Sequence, residues 1–498
     1  MSFTGKNGSS EITKRNSLVL FIYVIVKWTV IGFAGIYLQE LWWWRNWYFA
    51  LPICLVAIIY ARKYQKGKLL STTRLKGIPR LYISSPDSTV IMGCELSIFP
   101  SKKQLNDCLK KINHAHPLIA NIVKIDESND AYFVDVDTDA FEIIQYKGQS
   151  YETITNNHLK EEWKLERPLI KFIVNELSGD SCQIIIVANH CICDGKSMVY
   201  LLEDIAAYLS RGFIPVANES VTLHPRHLKT RHWLIVERLL LSYMNLKVKK
   251  SSFKLSQRVL SEVSTAYWKC HQPKFQSVSF DKCLTTKIIT AAKESKVSVN
   301  TYLTYMLYES QLKLSEKASQ EEIMISVNLR DMLAKSPGRQ FGYFVTGVRI
   351  SLAGFVNVLK SDTLKYLQIS IQRKLQPKSI SQGLSAYFLS PIFLDLVQLN
   401  KFGFRSDRTI QRFIAKKGAN KIGPAFAFTN LGVIEINKNC KDILSGFLPL
   451  VLVLDNIEKY VSAFTYNGEL QVTVCYDSAL ISKTYIDYFL RNLTELLP

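Results

Sequence analysis

The chain has 498 residues, 48% of them hydrophobic and 21% charged, with only 22 Gly and 15 Pro. That composition excludes disordered, collagen-like and low-complexity classes, and the length exceeds the roughly 250 to 300 residues at which one core stops growing. The net charge of +20 asks for an anionic partner, and its distribution points to a membrane surface rather than nucleic acid. Residues 1–80 hold twelve Lys/Arg against Glu11 and Glu40, a surplus of ten, with no helix-turn-helix, zinc or RNP pattern among them. The ten Cys are scattered, and the close pair Cys191 and Cys193 has no second ligand pair beside it, so they read as reduced thiols with no metal.

Residues 18–38 are apolar apart from Lys27 and a few small polar residues, about the 20 residues that cross a hydrocarbon core. Trp42, Trp43, Trp44 and Trp47 then form an interfacial belt, and a second, shorter apolar run follows, giving segments of about 18–38 and 43–61. Basic residues flank both outer ends, Lys14 and Arg15 before and Arg62, Lys63, Lys66 and Lys68 after, while the connector holds only Arg45. This predicts a membrane hairpin with both ends in the cytosol, residues 1–77 serving as anchor and basic linker. A cleaved signal peptide is the alternative, disfavoured by the second apolar run and the lack of a small-x-small site after the first.

Beyond residue 78 the pattern is that of a mixed α/β globule. Leu105, Leu109 and Ile112 recur at helical spacing over 103–113, ahead of His114, His116 and Pro117. Residues 183–188 (QIIIVA) are a β-branched run too short for a helix and read as a buried strand ending at His190. Gly195 opens a helical stretch, Lys196 to Leu209. The apolar segment His232 to Leu246, followed by Lys247, Lys249 and Lys250, fits either a membrane-resting helix or an ordinary core or crossover helix. A second lobe follows, with a helix near Val299 to Leu314, strands at Ile323 to Val327 and Ala425 to Phe428, and a strand-helix pair from Leu470 to Leu497.

Asn189-His190-Cys191-Ile192-Cys193-Asp194-Gly195 sets a His at a strand end and an Asp four residues on, at a turn into a helix. The His suits a general base near neutral pH, the Asp can brace the loop through an ion pair, and Gly permits a tight turn. A buried structural His fits the same short pattern. His116-Pro117-Leu118, the block 168–195, Val327-Asn328-Leu329-Arg330, Phe341-Gly342-Tyr343 and Thr429-Asn430-Leu431-Gly432 follow in one order. Together they resemble the CoA-dependent acyltransferase superfamily, which includes chloramphenicol acetyltransferase, condensation domains, plant BAHD enzymes and fungal alcohol acetyltransferases. The resemblance covers residues 80–498. One departure is Asn189, where many members have the first of two His.

The resemblance implies a two-lobed chloramphenicol acetyltransferase-like fold, here 78–265 and 266–498, with a tunnel between the lobes. It implies that His190 deprotonates the acceptor, that Asp194 pairs with Arg330, and that acyl-CoA, with acetyl-CoA expected, is a co-substrate rather than a resident cofactor. Thr429 and Asn430 are oxyanion or positioning candidates, each equally readable as a cap or turn residue. The basic loop Lys416 to Lys421 is a candidate for the CoA phosphates, or merely solvated. With the anchor, these point to an endoplasmic-reticulum O-acyltransferase with a cytosolic catalytic domain and a lipophilic alcohol or sterol as acceptor. N-acylation of a long-chain amine or sphingoid base, and a non-catalytic lipid-binding member, are the alternatives. Three sequons, at Asn7, Asn218 and Asn492, offer a test of topology.

Overall fold

The computed structural model describes residues 73–136, 141–216, 221–230, 235–248, 253–314, 322–352, 358–404, 410–411, 424–452 and 457–496. The predicted hairpin, the loop 416–421 and the sequons at Asn7 and Asn218 lie outside these residues. Among the described residues no helix is long and apolar enough to cross a membrane.

The chain opens with β1 (Thr73–Leu75), a short helix α1 (Ile78–Ile83), β2 (Thr89–Leu96) and α2 (Lys102–Ile112). Next come β3 (Asn121–Ile125), β4 (Ala131–Asp135), β5 (Ile143–Lys147), β6 (Ile170–Glu176) and β7 (Cys182–Asn189), then α3 (Gly195–Arg211) and α4 (Ile235–Val248). The second half holds β8 (Pro273–Phe280), α5 (Val299–Leu312), β9 (Glu322–Asn328), β10 (Val345–Ser351) and α6 (Pro391–Lys401). It ends with β11 (Phe426–Val433), β12 (Leu444–Phe447), β13 (Val451–Leu452), β14 (Lys459–Tyr466), β15 (Glu469–Asp477) and α7 (Lys483–Glu495).

The first large sheet runs β12-β2-β7-β6-β5, with β13 also on β2. β7 lies between β2 and β6 and is buried along its whole length, so both faces of its run Ile184 to Ala188 are covered, which explains why that run is continuously apolar rather than alternating. α3 packs on β2, β7 and α2, and Leu201, Leu202 and Ile205 are fully buried. Asp194 caps its first turn through a bond from Ser197 N, and Gly212, at φ 66°, ends it in the left-handed conformation. The second sheet runs β10-β9-β11-β14-β15-β8, with β11 parallel to both neighbours, and its core includes Tyr302, Tyr308, Phe426, Phe428 and Phe489. A small antiparallel sheet, β1-β4-β3, stands apart.

The boundary at 265/266 separates the strands of the two large sheets except for β12 and β13, which return from residues 444–452 to the first. The segment predicted from His232 to Leu246 is helical as α4. Its Leu241 and Val248 are buried, while Leu239, Leu240, Tyr243 and Leu246 are exposed, so it is only partly a core element.

Candidate active site

Strand β7 ends by delivering Asn189 and His190 to the foot of α3. The His190 N–H donates to the Ser88 carbonyl at 2.7 Å, and Asn189 Nδ2 donates to Ser88 Oγ at 2.8 Å. Asn189 Oδ1 accepts from Cys191 N at 2.9 Å. The residue standing where many members of the superfamily have a first His thus holds the turn by its amide alone.

His190 is buried, and its Nδ1 lies 2.7 Å from the Cys193 carbonyl. A carbonyl can only accept, so Nδ1 carries the proton and Nε2 presents the lone pair. Burial lowers the ring pKa to about 4, with the Cys193 hydrogen bond and the Asp194 charge offsetting part of that effect, so the imidazole is neutral at physiological pH. Tyr82 from α1 lies 4.4 Å and Tyr343 lies 5.3 Å from the His190 ring by centroid distance, and the two tyrosines are hydrogen-bonded to each other. Burial pushes both phenols up, keeping them neutral.

Asp194 faces the other lobe. Its Oδ2 accepts from Arg330 Nη1 at 2.9 Å and Phe344 N at 2.8 Å; its Oδ1 accepts from Ser197 N at 2.8 Å. Arg330 Nη2 donates to Ser197 Oγ at 2.8 Å, and the guanidinium lies 4.7 Å from the Phe344 ring centroid. The Asp194–Arg330 pair expected from the resemblance is therefore present, buried and locked across the two halves of the chain. His116 accepts from Phe341 N at Nδ1, 3.1 Å, and so donates from Nε2 to Asp204 at 2.9 Å, which Arg339 also meets at 3.1 Å. Hydrogen bonds thus tie the His116 and 339–344 segments to α3.

Gly195 differs from its expected role. It is not in the left-handed region, so no turn demands it; instead a Cβ there would lie 2.7 Å from Leu431 Cδ2 and 2.9 Å from Leu450 Cδ2. The residue is small because β11 and the segment after β12 press against the start of α3. Thr429 is buried and hydrogen-bonded to Tyr460, and Asn430 Oδ1 accepts from Gly432 N at 2.9 Å, holding a turn in which Gly432 has φ 77°. Among the described residues no hydrogen bond or ring contact joins either one to His190, so the sequence-derived oxyanion assignment gains no geometric support. Sequence reasoning missed Tyr82, Ser88 and the bracing role of Asn189; none sits in a periodic pattern that would mark it.

A cavity of about 400 Å³ opens beside this centre, and its lining includes Cys191, Gly342, Tyr343 and Phe344 together with Lys76, Arg226 and Tyr387. Cys191 and Tyr343, which line it, adjoin His190 in sequence and by ring contact respectively, while the His190 ring itself is buried. Burial raises the Cys191 and Cys193 thiols well above their ordinary value, which makes them poor nucleophiles.

No family model matches the chain, and no curated protein matches it in sequence. Among solved structures it is similar to the epimerization domain of the third module of tyrocidine synthetase B, with 12% identity, a TM-score of 0.57, and coverage of 86% of this chain and 96% of that one. The first condensation domain of the CDA synthetase gives 11% identity and a TM-score of 0.57 over 86% and 97%. Trichothecene 15-O-acetyltransferase TRI3 from Fusarium sporotrichioides gives 13% and 0.56 over 85% and 94%. The chain has the fold shared by these condensation and epimerization domains and the TRI3 acetyltransferase.

Proposed function

We propose that the protein is a membrane-anchored, acyl-CoA-dependent O-acyltransferase that acts on a lipophilic alcohol or sterol, with acetyl-CoA as donor and His190 as general base. The observation that carries the reading is the fixed tautomer of His190: with Nδ1 committed to the Cys193 carbonyl, Nε2 alone is available to the acceptor. In this mechanism Nε2 takes the hydroxyl proton as the oxygen attacks the thioester carbonyl. The tetrahedral oxyanion collapses and expels CoA thiolate, which recovers the proton from the imidazolium. No acyl-enzyme forms. Asp194 and Arg330 act on the base through the backbone, by holding the turn that carries the Cys193 carbonyl. The lipophilic acceptor and the cytosol-facing endoplasmic-reticulum location rest on the apolar and basic pattern of residues 1–77.

The test is to incubate detergent-purified full-length protein with acetyl-CoA and longer acyl-CoAs and with sterols, fatty alcohols and sphingoid bases, following thiol release and product mass. An ester product supports O-acylation and an amide product the long-chain amine alternative; absence of thiol release with every pair sinks the acyltransferase reading.

A further inference from the structure

A second cavity, of about 310 Å³, shares Arg74, Lys76, His224, Arg226 and Tyr387 with the one that reaches Cys191 and Tyr343. Four of its lining residues are Arg or Lys, and none is Asp or Glu. Two of these cations are already matched: Arg74 pairs with Asp130, and buried Arg80 holds Asp395 through Nε at 2.9 Å and Nη2 at 2.7 Å. Neither Lys76 nor Arg226 has a salt-bridge partner among the described residues, although the Asp130 charge also reaches Lys76, so the wall is net positive.

Two buried donors on the same wall also lack acceptors: among the described residues Arg80 Nη1 and the hydroxyl of Tyr387 have no hydrogen-bond partner. Leaving such groups unpaired in a protein interior costs free energy, so a ligand that accepts from them is favoured. His224 adds a third donor, because Arg226 N donates to its Nδ1 at 3.1 Å and leaves the proton on Nε2. Crowding of like charge is felt here: burial chiefly, then the neighbouring His227 and the cations Arg226, Lys76 and Arg238, lowers the His224 pKa to about 4, and burial with Arg74 lowers that of Lys76. Asp130 and Asp395 do not line the cavity and are each paired with one of its arginines.

We propose that this cavity is an anion subsite that takes a phosphate-type group carried by one of the two substrates. The assignment to a substrate rests on the acyltransferase reading above. The shared wall leads from the subsite toward Cys191 and Tyr343 beside His190, so a molecule anchored here by its anionic end places its other end toward the base. Its source is either a phosphate of CoA or an anionic acceptor headgroup.

The experiment is a calorimetric titration of the full-length protein in neutral detergent with CoA, dephospho-CoA, a lysophosphatidate, the matching monoacylglycerol and inorganic phosphate. The same titrations follow on Lys76→Gln, Arg226→Gln and, as a charge control, Lys365→Gln, an exposed helical residue that lines neither cavity. Each cavity variant should weaken binding of the anionic ligand about tenfold or more, with the thermal midpoint of unfolding and the control unchanged. Preference for CoA over dephospho-CoA identifies the donor as the source, and preference for lysophosphatidate over monoacylglycerol identifies the acceptor. Equal affinity in parent and cavity variants, or binding of inorganic phosphate alone, overturns the proposal. Because the titration is independent of turnover, a protein that bound these anions as expected yet released no thiol would sink the acyltransferase reading and leave the subsite standing.

Discussion

Replacing Asp194 by Asn separates the structural from the chemical role of the turn. The variant retains an oxygen to accept from Ser197 N at the start of α3, so the helix cap survives. It loses the charge that matches Arg330, which is only 3% exposed, and presents an NH₂ group where Oδ2 accepts from Arg330 Nη1 and Phe344 N. Breaking a buried ion pair from one side costs about 3–5 kcal/mol. At about 2.1 cal/mol/K per residue, a body of about 430 residues unfolds with an entropy near 0.9 kcal/mol/K, so the midpoint should fall by about 3–6 °C. Scanning fluorimetry of parent and variant in the same detergent measures this, and thiol release should decline with it, because the Cys193 carbonyl that fixes His190 belongs to the same turn. Pairing Asp194→Asn with Arg330→Met, which removes the orphaned charge, should recover part of the midpoint. An unchanged midpoint together with lost activity would refute the reasoning and give Asp194 a direct part in the chemistry.

His190→Ala should lower thiol release about 100- to 10,000-fold while sparing the fold, and a loss within a few-fold would remove His190 as the base. The depressed pKa of His190 sets a sign for stability: above pH 6.5 the residue is neutral in both states, whereas between 6.5 and about 4 the unfolded chain takes up a proton that the native ring does not. Native stability should therefore fall by up to about 3 kcal/mol across that window on His190's account, and denaturant unfolding of parent against His190→Gln at pH 7 and 5 reads it. Gly195→Ala should destabilise by about 1–3 kcal/mol through overpacking against Leu431 and Leu450, and trimming Leu431 to Ala in the same chain should recover much of it. A cytosolic catalytic body predicts no glycosidase-sensitive mobility shift. Asn492 is a poor reporter of this because it is buried in α7, so a shift traced to Asn218 is the result that would place the body in the lumen.

What could be read in the chain follows from how local its cause is. β7 and α3 are declared by a β-branched run and by helical spacing, and Arg330 could be paired with Asp194 because the family pattern names both. The environment of His190 is less accessible, since Tyr82 comes from a six-residue helix too short to show periodicity. Its neighbour Arg80 finds Asp395 across 315 residues, with Asn129, at φ 63°, donating to the same carboxylate at 2.8 Å. Nothing in either local sequence predicts the other. The tight turn expected at Gly195 failed for the same reason: the constraint on that residue is a leucine from residue 431, which local reasoning cannot weigh against φ preferences.

The return of β12 to the first sheet bears on how the protein is made. Ser445 Oγ meets the Glu95 carbonyl across 350 residues of sequence, so at about 5–20 residues per second the ribosome takes about 20–70 s to supply that partner after β2 has emerged. Throughout that interval one edge of β2, rich in Val90, Ile91 and Met92, has its hydrogen-bonding groups open beside apolar side chains. A nascent chain that stops before residue 444 thus presents an open sheet edge, the geometry that invites strand addition by a neighbouring chain.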